Sequence, residues 1–87
     1  MPRLSPEAAR YLKGALAGAR ADGAARLQRS GAGWRMQIDR PHAGDQVFER
    51  QGQVLLVMSE EVAEALGPAV IDLHQTGRGP RLVVTGE

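Results

Sequence analysis

The spacing of apolar and polar positions changes several times along this chain, and each change marks an element. Ala8, Leu12, Ala15, Leu16 and Ala19 recur at helical intervals, which predicts a helix with one narrow apolar face. Ser5-Pro6-Glu7 marks its start: a hydroxyl to cap free N–H groups, a proline suited to the first helical position, and an acid at the positive end of the dipole. Asp22-Gly23 is expected to end it. Gly14 and Gly18 each cost about 1 kcal/mol relative to alanine, and their one-turn spacing offers a place for close backbone approach. A face built mostly of alanine should lie close against a sheet.

From Trp34 the period becomes two. Trp34, Met36 and Ile38 alternate with Arg35, Gln37 and Asp39, the pattern of a half-buried strand. Ala24 to Gln28 is a weaker strand candidate, joined to it by a turn at Ser30-Gly31-Ala32-Gly33. The segment from Arg40 to Asp45 reads as a loop, with Gly44 suited to positive φ. Gln46 to Arg50 reads as a strand, and Gln51-Gly52 as a two-residue hairpin turn. Gln53 to Met58 is apolar on both faces and belongs in the middle of a sheet. Ser59 caps a second helix in which Val62, Ala65 and Leu66 point inward, and Gly67-Pro68 ends it. Val70 to Leu73 is a strand, Thr76 to Pro80 a turn, and Arg81 to Thr85 a closing strand. Strands outnumber helices and the connections are short. The fold class is therefore α+β with a mostly β core, an N-terminal helix and one short helix near residues 59–66.

Eighty-seven residues allow a single domain, 1–87, which buries roughly 60–65% of its unfolded surface. There is no cysteine, which excludes thiolate nucleophiles, redox pairs and thiolate metal ligands and fits a reducing cytoplasm. The net charge is +1. Arg26, Arg29 and Arg35 cluster loosely, but Asp22 and Asp39 flank them, so they read as a solvated surface and no nucleic-acid partner is expected. No apolar run is long enough for a membrane span, and none near the N-terminus suits a signal peptide. Gly31-Ala32-Gly33 lacks the third glycine of a dinucleotide fingerprint and leads into a strand, not a helix.

The order Gly44-Asp45, Gly52, a capped helix from Ser59 to Leu66, Leu66-Gly67, Val70-Ile71-Asp72-Leu73 and Gly77-Arg78-Gly79 resembles the HesB-like family of A-type iron–sulfur cluster carriers. Leu4 to Leu16 also looks like that family's opening helix, so the resemblance covers nearly the whole chain. It implies the family's mixed sheets or flattened barrel and a link to iron–sulfur biogenesis. Carriers of the family hold their cluster with three cysteines, one in a G-C-S-G-F/Y turn and two in a C-G-C-G segment. Aligned on these motifs, Gly31 stands at the first cysteine and Trp34 at the aromatic. The second motif is absent, because the chain ends at Thr85-Gly86-Glu87 where it would begin. The family tyrosine is Leu73. The resemblance therefore implies the fold without the ligands: a non-enzymatic relative with no cofactor expected, no catalytic or cofactor-binding residues, and a protein partner in iron–sulfur biogenesis.

Two other readings follow from the residues alone. His42, His74, Asp45 and Asp72 are the side chains from which a mononuclear nitrogen–oxygen metal site would be drawn. They lack metal-type spacing, and this reading requires His42 and His74 to lie close together. A self-associating or interaction module unrelated to iron would instead expose an apolar patch that includes Trp34. The alternation with Met36 and Ile38 otherwise places Trp34 in the core. Asp72 is expected to be exposed or paired with an arginine. Glu60, Glu61 and Glu64 read as a solvated helix face, the alternative being an acidic docking patch for a basic partner.

Overall fold

A computed structural model describes residues 2–18, 23–31 and 33–85. In chain order these form β1 (Arg3–Leu4), α1 (Pro6–Ala15), β2 (Ala24–Ser30), β3 (Gly33–Asp39), β4 (Gln46–Arg50), β5 (Gln53–Met58), α2 (Glu60–Leu66), β6 (Val70–Thr76) and β7 (Gly79–Thr85). The strands make two sheets, one in the order β1-β6-β7 and one in the order β3-β2-β5-β4. The β1–β6 and β2–β5 pairs are parallel and the remaining pairs antiparallel. This is the α+β, mostly β arrangement expected.

Local chemistry starts α1 where the sequence puts it. Ser5 Oγ accepts the Ala8 N–H at 3.1 Å, and Pro6 occupies the first turn. The helix stops earlier than Asp22: Leu16 is its C-cap, and the Ala17 N–H bonds back to the Gly14 carbonyl at 3.2 Å, a tightened last turn. Ala8, Ala9, Leu12 and Leu16 are buried, whereas Ala15 is exposed. Ala19 and Asp22 lie outside the described residues. Gly14 and Gly18 fall on the outer face, with nothing within 4 Å of a Cβ built there, so no close approach explains them.

The hairpin at Gln51-Gly52 forms with φ of 54° and 80°, the left-handed pair that matches strand twist. It delivers β5 to the interior of the four-stranded sheet, where Leu55, Leu56, Val57 and Met58 are all buried. The β4–β5 register shifts between Phe48 and Glu49, a bulge that leaves Leu55 without a paired residue. The final hairpin is longer than expected. Thr76 Oγ1 donates to the Gly79 carbonyl at 2.7 Å and accepts the Arg78 N–H at 3.1 Å, which shrinks the turn to Gly77-Arg78 and extends both strands.

In α2, Ser59 Oγ caps the Val62 N–H at 3.2 Å. Ala63 is the buried residue, with Val62 and Leu66 beside it, and Ala65 faces solvent. An inward stripe at i, i+1 and i+4 fits a helix this short better than the one expected from Ala65.

The core lies between α1 and the two sheets. Leu4, Leu12 and Leu16 pack there with Leu27, Leu55, Met58 and Ile71, while Trp34, Met36, Leu73, Leu82 and Val84 pack against it half-buried. Ile38 is 54% exposed, so the buried stripe of β3 ends at Met36.

Candidate functional site

Arg26 is not part of a solvated surface. It is 6% exposed, on the face of β2 opposite Leu27, because two acids reach it, Asp39 at the end of β3 and Asp45 in the loop that follows. Its Nε donates to Asp39 Oδ2 at 2.7 Å, its Nη2 to Asp45 Oδ2 at 2.6 Å and to the Arg40 carbonyl at 2.9 Å, and its Nη1 to Asp45 Oδ1 at 3.3 Å. Asp45 also accepts the His42 backbone N–H at 2.7 Å, and Gly44 supplies the positive φ of 85° that the turn requires. The Arg26 hydrogen bond holds the Asp45 carboxyl below the usual range. Asp39 is lowered first by the Arg40 backbone N–H and then by Arg26, and Arg26 is raised, chiefly by Asp45. The Gly44-Asp45 motif thus pins the 39–45 loop to the four-stranded sheet.

The structure disperses the other flagged residues. His42 sits at the rim of this cluster, its side chain 61% exposed, with Nε2 3.6 Å from Asp39 Oδ2. His74 lies on β6 in the other sheet, opposite Arg81. Among the described residues, Asp72 meets no arginine. It accepts the Ser5 hydroxyl at 2.7 Å and its neighbour's Leu73 N–H at 2.8 Å, and these two bonds lower its pKa, the first most. Since Ser5 also caps α1, Asp72 ties that helix to β6. Glu60, Glu61 and Glu64 are exposed on α2, with Glu60 and Glu64 bordering a small cleft beside Pro2 and Gln46. Gly31, at the β2–β3 turn, is exposed with φ of 58°.

A groove of about 730 Å³ separates β3 from the β6–β7 hairpin. Leu27 and Ile71 form its floor, and Trp34, Met36, Leu82 and Val84 its walls. Arg35, His74 and Arg81 also line it, and no carboxylate does. Gly33 to Met36 and Pro80 to Val84 line it consecutively, although alternate strand residues face opposite ways. The groove therefore follows the edges of β3 and β7, over a floor supplied by Leu27 of β2 and Ile71 of β6. Both strands are terminal in their sheets. The Arg29 guanidinium lies 5.5 Å from the centre of the Trp34 ring, a cation–π contact. Trp34 is thus half core and half groove wall. Arg81 and the groove itself were not legible in the sequence, because nothing local in β3 or β7 reports that the two edges meet.

This architecture is the A-type, HesB-like fold. Escherichia coli SufA, involved in biosynthesis of iron–sulfur clusters, matches 98% of this chain and 84% of its own with a TM-score of 0.81 at 20% identity. A structure of IscA with a [2Fe-2S] cluster matches 99% of this chain and 85% of its own, TM-score 0.68 at 22% identity. A protein from Aquifex aeolicus solved by NMR matches 97% and 89%, TM-score 0.69 at 18% identity. No protein-family model and no curated protein matches the sequence.

The donors of this chain do not fit an iron–sulfur cluster. With no cysteine, the soft thiolates that hold such clusters are lacking. Among the described residues, no three His, Asp or Glu side chains are grouped so as to hold a metal ion. No helix among them is long and apolar enough to cross a membrane.

Proposed function

We propose that this chain is a cysteine-less, non-enzymatic relative of the A-type carriers, acting in the cytoplasm through protein partners in iron–sulfur biogenesis and holding no cluster itself. The observation that carries the reading is the pairing of a SufA-like fold over 98% of the chain with a sequence that contains no cysteine. The shared fold supports a link to that pathway. The donor set argues against a ligand role, because imidazole nitrogens and carboxylate oxygens are poor substitutes for the terminal thiolates that hold such clusters. Gly31, where the resemblance places the first cysteine, sits on an exposed turn in a left-handed conformation that disfavours side chains.

Anaerobic reconstitution with iron and sulfide, followed by visible spectroscopy and metal analysis, tests this. The expected result is no charge-transfer band and no stoichiometric iron. Stable bands would show that other donors replace the thiolates and would overturn the reading.

A further inference from the structure

We propose that the groove between β3 and β7 is a docking site for an extended, acidic–apolar segment of a partner protein. This rests on the reading of the chain as a partner-binding protein and says where and what it binds. Three features converge there. β3 and β7 are end strands of separate sheets, so each presents an unpaired edge to the same groove, and such edges accept an added strand through main-chain hydrogen bonds. Between them Trp34, Met36 and Leu82 offer half-buried apolar surface, with Trp the residue type most enriched where binding energy concentrates.

Charge decides the occupant. Arg35, Arg81 and His74 line the groove without a carboxylate among its lining residues, and neither arginine has an acidic partner among the described residues. A strand that alternates acidic and apolar residues sends its apolar side chains to the floor and its carboxylates to these cations, as period two requires. A single-stranded nucleic acid would also carry negative charge, but a mainly apolar lining and a net charge of +1 favour the peptide.

Trp34 is the only tryptophan, so its fluorescence reports the groove directly. The purified chain is titrated with a synthetic peptide alternating Glu and Val, and in parallel with its Lys–Val counterpart and a short oligothymidylate. The expected outcome is a saturable blue shift with Glu–Val that weakens as salt rises and is at least about tenfold weaker with Lys–Val. The Arg35→Glu, Arg81→Glu double variant, folded by circular dichroism, is expected to invert that preference. The comparison of the two peptides on the unmodified chain stands even if the variant does not fold. No shift, or equal shifts with both peptides, would mean that the cations only guard the strand edges and would overturn the proposal. So would saturation by the oligonucleotide alone, or a concentration-dependent shift without peptide, which would reveal a second copy in the groove. Cluster uptake on reconstitution overturns the proposed function and leaves this site standing; failure of the titration does the reverse.

Discussion

A guanidinium inside a sheet is tolerable only when its N–H groups find acceptors, and Arg26 finds four contacts from Asp39, Arg40 and Asp45. Removing Asp45, whose side chain is 5% exposed, would leave that cation buried and partly unpaired. Asp45→Ala is therefore expected to cost about 3 kcal/mol in urea unfolding, and a loss below about 1 kcal/mol would show that water replaces the carboxylate. The pH dependence has a definite sign. The folded pKa values of Asp45 and Asp39 are lowered, so their stabilisation is complete above the unfolded carboxylate range near 3.9 and is lost as pH falls through the lowered folded values. Unfolding midpoints should hold from neutrality to about pH 5 and then decline; Asp45→Asn should lower the plateau and flatten the decline. None of this was legible at Arg26, because its partners lie 13 and 19 residues away and an arginine beside acids reads as surface until the strands are paired.

Elements whose signals are local came through well. Ser5-Pro6, Ser59-Glu60 and Gln51-Gly52 each fix a cap or turn with their own atoms, and the structure places a helix start or a hairpin at each. Elements whose limits depend on distant pairing did not. The β6 strand runs to Thr76 and not Leu73, because β7 pairs with it along its whole length. The buried face of α1 takes in Ala9 and leaves out Ala15, since the sheets beneath, not the helix period alone, choose the face. Gly52 has φ of 80° with open space around it, so Gly52→Ala should destabilise through backbone conformation alone, by about 1 kcal/mol. Thermal unfolding that leaves Tm unchanged would show that the turn readily adopts another form.

For the whole molecule, the core rests on few large side chains: those fully buried are Leu27, Leu55, Leu56, Met58, Ile71 and Val57. A chain of this length has roughly 4–13 kcal/mol of total stability, whereas a buried leucine truncated to alanine costs about 2–5. Leu55→Ala is thus expected to remove a large share of the total, and chemical denaturation showing a change under about 1 kcal/mol would place Leu55 outside the cooperative core. The fold was legible as α+β because period and turn chemistry persist along the chain. The groove was not, since it exists only where the edges of two different sheets come to face each other.

The parallel pairing of β1 with β6 has a consequence for how the protein is made. Ser5 bonds Asp72 across 67 residues of chain, so β1 and α1 lack this partner until β6 has been translated. At 5–20 residues per second that interval is roughly 3–13 s. Through it the apolar face of α1 can pack on β5 but not on β6, so its final packing waits for that strand.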